Sequence, residues 1–214
     1  MKMRKSLSKI LLLLAAVLFL MPGYAKAAEK IVVTLHPIVK GNPWNSVYKE
    51  GETLIADPGR ITNIKTSKAG IITIKTDIGD GVSLIDVIPK KAGKTTLSYK
   101  LNGKPRKVLI EVKKYVNPVS YIKLGSTKLA SSKFNKTLCN LKYSQFQNKK
   151  SKLNIKLKSG WKVAQLRFRG RNGEIIAGIQ NGSTVKINQK GCYIIVGVYN
   201  PRTKQEECFC IRFA

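Results

Sequence analysis

Few residues here could carry covalent or acid–base chemistry. His36 is the one histidine among 214 residues, so a Ser/His/Asp or Cys/His centre would have to use it. It stands beside Pro37 at the end of an apolar stretch, which reads as a surface or capping position. Asp77, Asp80 and Asp86 lie close in sequence, but Asp-Ile-Gly-Asp-Gly is what a turn needs. A calcium loop wants oxygen ligands at more alternate positions. Gly93-Lys94-Thr95 leads into a strand pattern and lacks the upstream glycine of a phosphate loop. Cys139, Cys192, Cys208 and Cys210 all fall in the second half. Four cysteines in an exported chain allow disulfides, with three pairings open. Cys208 and Cys210 are two apart on one strand, so they share a face and cannot easily bond each other. One C-x-C with a distant cysteine and no nearby histidine is a poor zinc pattern. The expectation is a protein that is not an enzyme and that holds no metal and no cofactor.

Binding chemistry is better represented. Residues 149–171 are rich in lysine and arginine around Trp161. If Ser159-Gly160 closes a two-residue hairpin, Leu153, Ile155 and Leu157 share the core face with Ala164, Leu166 and Phe168. The other face then carries Lys152, Lys156, Lys158, Trp161, Arg167 and Arg169. A tryptophan among cations is a platform for a sugar ring or a base, with phosphate contacts beside it. The competing reading turns Trp161 inward through a bulge near Gly160 and leaves a solvated basic stripe. Trp44, in a turn between Pro43 and Asn45, is open to the same two readings.

The elements that must position these residues are short strands. Residues 96–101 alternate, with Leu97, Tyr99 and Leu101 against Thr96, Ser98 and Lys100. Asn102-Gly103 follows, and both residues tolerate φ > 0, which suits a two-residue hairpin turn. That register sets Leu101 opposite Lys104, Leu97 opposite Val108, and Pro105 opposite Lys100. Proline is tolerated there if the far side is an edge. Upstream, residues 31–35, 61–65, 71–76 and 82–88 read as strands, the last with Leu84 and Ile88 inward, and 47–52 reads as a short edge element. Downstream, residues 119–124, 153–157, 161–169, 175–179, 183–187, 192–199 and 208–213 read as strands, the last two as a hairpin with Phe209, Ile211 and Phe213 in the core. No stretch of the mature chain sustains a helical period, and turn signals recur every 8–12 residues, the pattern of all-β sandwiches.

Residues 1–27 read as a signal peptide. Lys2, Arg4, Lys5 and Lys9 precede an apolar run of 12 residues, Ile10 to Met21, and Ala25-Lys26-Ala27 has the form of a cleavage site. Twelve helical residues span ~18 Å, short of the ~30 Å hydrocarbon core. No second run of membrane length follows, so the mature chain is expected to be secreted, with wall association as one fate. The mature part divides into 28–116 and 117–214. The first carries 16 Lys/Arg against eight Asp/Glu, and the second 19 against three, net +16. Such a field attracts polyanions.

Ala92-Gly93-Lys94-Thr95-Thr96-Leu97, then Asn102-Gly103 and the closing strand Val108 to Val112, resembles the C-terminal half of bacterial group 2 immunoglobulin-like domains. The resemblance implies an all-β chain of two tandem immunoglobulin-like β-sandwiches and an extracellular, non-catalytic spacer or adhesion module. It offers no catalytic residues to carry over. The resulting expectation is an exported module whose second domain contacts an anionic cell-wall polymer or glycan, and nucleic acid only non-specifically. The alternative is a spacer or assembly subunit without a ligand of its own.

Overall fold

The computed structural model describes residues 29–79 and 82–214, so the signal-peptide expectation for residues 1–27 lies outside the described residues. Two β-sandwiches follow one another. In the first, β1 (Glu29–Leu35), β7 (Lys104–Lys114), β6 (Gly93–Leu101) and β3 (Ile61–Thr66) form one sheet, and β2 (Glu52–Pro58), β5 (Val82–Pro89) and β4 (Ile72–Gly79) form the other. The three-stranded sheet thus takes the first, fourth and third strands of the β2–β7 series. The facing sheet takes the second, fifth and sixth, and β1 is added in parallel along β7. This is the strand partition of the immunoglobulin fold.

The β6–β7 hairpin has the register expected from its turn. Leu101 opposes Lys104, Leu97 opposes Val108, and Lys100 opposes Pro105. Asn102 and Gly103 have φ of 50° and 79°, the left-handed values such a turn requires. Among the described residues β1 meets β7 only from Val108 onward, so Pro105 has no strand partner there on its far side, where its missing N–H is harmless. Leu97, Tyr99, Val108, Ile110 and Val112 enter a core with Val33, Ile55, Ile72, Ile85 and Val87. On β5 the side chains that enter this core are Ile85 and Val87, not the expected Leu84 and Ile88: Leu84 is half-buried, and Ile88, next to Val87 in sequence, is buried outside this core beside Gly51. The edge element expected at 47–52 is instead a short helix, α1 (Asn45–Glu50), running into β2. Gly51 joins the two at φ 89°, where a Cβ would stand 2.6 Å from the Val87 carbonyl oxygen.

The second sandwich repeats the plan. β10 (Leu138–Leu141), β16 (Gln205–Phe213), β15 (Tyr193–Asn200), β12 (Lys162–Arg169) and β13 (Ile175–Gly178) form one sheet. β14 (Thr184–Lys186), β11 (Lys150–Leu157), β8 (Val119–Leu124) and β9 (Thr127–Ala130) form the other. β10 runs parallel to β16, as β1 does to β7. The stretch 125–137, loop-like in sequence, contains β9 and a 3-10 turn at Ser131–Phe134. Phe134, Phe209, Ile211 and Phe213 are fully buried in this core.

Candidate interaction surface

The hairpin expected over 149–171 does not form. β11 pairs with β8 and β14, and β12 pairs with β15 and β13, so Ser159-Gly160 turns the chain from one sheet to the other. The reason is the core. Leu153 and Ile155 face Leu166 and Phe168 across the sandwich interior rather than lying beside them in one sheet. The proposed binding set is therefore divided. Lys152 and Lys156 stand on the outer face of the β14-β11-β8-β9 sheet, and Lys158 is exposed at the turn. Trp161 packs, partly buried, against the core. Arg167 and Arg169 lie on the outer face of the opposite sheet, where Arg169 is only 6% exposed.

In place of that set, four strands bring together six lysines. Alternation turns Ser151, Leu153 and Ile155 inward and Lys150, Lys152, Asn154 and Lys156 outward on β11. The same rule exposes Lys123 on β8, Lys128 on β9 and Lys186 on β14. Lys150 stands directly opposite Lys186, and Lys123 directly opposite Lys128. Lys156 opposes Tyr121, and the Lys128 ammonium sits 5.0 Å from the centre of the Tyr121 ring. No carboxylate shares this face: the three acids of the second half are Glu174, Glu206 and Glu207, and none belongs to these four strands. Like charges directly opposed across a strand pair cost stability, so the face carries repulsion that no carboxylate within it offsets. The lysines of β8, β9 and β14 escaped sequence reasoning because strand pairing between distant segments is not written locally. The alternation of Tyr121 and Lys123 with Ile122 and Leu124 is the available signal.

The outer face of the other sheet is covered. Residues 36–50 of the first sandwich cross it, and Trp44 and Val39 pack on Leu138, Tyr193, Ile195, Cys208 and Cys210. The Arg169 guanidinium carbon lies 5.8 Å from the Trp44 ring centre, and Nη1 donates to the Gly173 carbonyl at 2.6 Å. Nε and Nη2 of Arg169 are buried without a protein partner. Asn42 Nδ2 donates to Thr137, whose Oγ1 donates to the Pro37 carbonyl at 3.0 Å. The Tyr48 hydroxyl donates to the Cys208 carbonyl at 2.8 Å.

His36 belongs to this joint and is not a surface residue; its side chain is 7% exposed and stacks on Tyr48 at 4.4 Å. Its Nε2 lies 3.2 Å from Glu207 Oε2 and accepts the Cys208 N–H at 3.3 Å. Glu207 Oε1 accepts from the Val116 N–H and from Gln205 Nε2. Burial pushes the Glu207 carboxyl above the usual range, with the contact to His36 opposing it. Burial likewise pushes the Tyr48 and Tyr115 phenols upward.

All four cysteines are free thiols, so no disulfide forms among them. Burial pushes Cys192 up to about 11 and Cys208 up to about 12, which keeps both protonated and poorly nucleophilic near neutrality. Among the described residues no group of three or more His, Cys, Asp or Glu side chains could hold a metal ion, and no helix is long and apolar enough to cross a membrane.

The strand partition, and the parallel edge strand that each sandwich lays along its last strand, define the class: a pair of immunoglobulin-like β-sandwiches. No protein-family model and no curated protein matches the sequence. Among solved structures, the chain is similar to the Yersinia pseudotuberculosis adhesin InvE, at 11% identity over 76% of this chain and 50% of the adhesin chain, with TM-score 0.19. It spans half the length of that structure. It is also similar to the fibronectin(III)-like modules of Clostridium thermocellum CbhA, at 14% identity over 88% of this chain and 90% of theirs, with TM-score 0.28. A chimeric titin Z1Z2 is similar at 10% identity over 89% and 94%, with TM-score 0.26.

Proposed function

We propose that this protein is an exported, non-catalytic binding module that engages an anionic cell-wall polymer or glycan through the lysine face of its second sandwich. The observation that carries this reading is the grid of Lys123, Lys128, Lys150, Lys152, Lys156 and Lys186 on one open sheet face without a carboxylate. Two of its cross-strand pairs are lysine against lysine. An outside anion relieves that repulsion, and the field of a second half at net +16 draws polyanions toward it. Nucleic acid falls under the same attraction without sequence preference. The test is titration of the intact chain with purified wall polymer, heparin and DNA at several salt concentrations. Binding that weakens steeply with salt supports the reading, and binding that hardly moves with salt, or none at all, overturns it.

The joint between the sandwiches favours a second reading, a spacer or assembly subunit. Trp44, His36, Tyr48 and Asn42 fasten the first sandwich across the second and would fix the direction of a chain passing through both.

A further inference from the structure

The lysines of the β14-β11-β8-β9 face are not evenly spread. One opposed pair, Lys150 and Lys186, stands at one corner, and the other, Lys123 and Lys128, lies two strands over. Asn154 opposes Lys123, so the second pair is displaced along β11 by the four residues that separate Lys150 from Asn154. At ~3.4 Å per residue and ~4.8 Å per strand, the pairs are roughly 17 Å apart on the diagonal. Lys152 lies between them on β11, while Lys156 stands beyond Asn154 and beside Tyr121. Five ammonium groups thus mark an oblique track.

The chemistry of the track is uniform. All five arginines of the second half, Arg167, Arg169, Arg171, Arg202 and Arg212, lie outside this sheet. Arginine presents a planar fork that suits bidentate recognition of a carboxylate or phosphate held in one fixed geometry, whereas lysine acts as a mobile point charge on a flexible stem, which suits single charges on a mobile backbone. The one aromatic side chain on these strands' outer face, Tyr121, already carries the Lys128 ammonium over its ring, so it is not an open platform for stacking a base.

Resting on the reading of this face as a polyanion site, we infer that its ligand is a flexible linear phosphodiester chain laid obliquely from Lys150 and Lys186 across Lys152 to Lys123 and Lys128. The track recognises backbone charge and ignores what hangs from it. Five neutralised phosphates on a flexible strand correspond to a slope of log K against log salt of about −3.5, and each lysine removed lowers its magnitude by about 0.7.

The experiment measures binding of the intact chain to synthetic poly(glycerol phosphate), to heparin and to poly-glutamate across a salt series. K150Q/K186Q and K123Q/K128Q are each expected to weaken poly(glycerol phosphate) binding about tenfold at ~0.15 M salt and to flatten the slope. Both are expected to raise the Tm, because each relieves an opposed like-charge pair; a variant that loses binding while gaining stability has not lost its fold. The β7 control K104Q/K107Q is expected to cost threefold or less. If poly-glutamate or heparin binds as tightly as poly(glycerol phosphate), or the control costs as much as the track pairs, the phosphodiester track is wrong while the polyanion reading stands. If none of the three polymers binds, the polyanion reading itself falls.

Discussion

His36 Nε2 and Glu207 Oε2 lie 3.2 Å apart, sealed between the two sandwiches. They come from strands whose partners are all in different sheets, with His36 just past β1 and Glu207 on β16. Nε2 accepts the Cys208 N–H, and Glu207 Oε2 is buried with no hydrogen-bond donor among the described residues. Tyr48, stacked on His36, and Tyr115, at 6.0 Å, close the site with neutral phenols.

Glu207 makes the joint sensitive to rising pH. Burial raises the Glu207 pKa above its unfolded value, so its contribution is fully present below the ordinary carboxylate range and is lost as pH rises through the raised value. Urea midpoints of the wild type are expected to fall over that window. Glu207→Gln keeps an acceptor for the Val116 N–H and cannot ionise, so its profile is expected to be flatter, with the advantage over wild type growing with pH. Parallel profiles for the two proteins would refute the assignment.

Trp44 is expected to act as the latch of the joint. Trp44→Ala removes packing from Leu138, Tyr193, Ile195 and Cys210 and uncovers the buried Arg169. The expected cost is about 1–3 kcal/mol, below that of a fully buried tryptophan because the ring is only partly covered. A thiol reagent followed at pH 8 should label Cys208 and Cys210 faster in this variant than in the wild type.

At the β6–β7 turn the cost is purely one of backbone. Gly103 has φ 79° and nothing within 4 Å of a built Cβ. Gly103→Ala is expected to lose about 1 kcal/mol in chemical denaturation, from left-handed strain alone. Polymer binding by the second sandwich should be unchanged.

Phe209 sits at 0% exposure against Phe134, with ring centres 5.1 Å apart. Phe209→Ala is expected to cost about 3–5 kcal/mol. Lys150→Gln, on the same sandwich but on its outer face, is expected to add a few tenths of a kcal/mol by separating Lys186 from a like charge. Opposite signs at these two sites, read from urea midpoints, would confirm that the sheet face is not optimised for stability.

Much of the fold is legible in local sequence. The alternation of 96–101, the Asn102-Gly103 turn and the apolar set Val108, Ile110 and Val112 dictate a hairpin in one register, since a slip of one residue would turn every side chain over. Phe209, Ile211 and Phe213 announce their inward face in the same way. The charge imbalance of the second half is likewise a property of sequence alone.

Tertiary structure alone decided which lysines meet and what becomes of His36, Trp44 and Arg169. Ser159-Gly160 looks like a hairpin turn locally, but a sandwich closes its core by sending β11 and β12 to opposite sheets, and that choice rests on β8, β14 and β15. The covered sheet did leave a trace: β15 is apolar on both faces, and Cys208 and Cys210 alternate with Phe209 and Ile211. A strand apolar on both sides must be covered twice. Which segment supplies the second cover depends on contacts more than 150 residues apart, such as Tyr48 to Cys208 at a separation of 160, and only the packed molecule contains that distance.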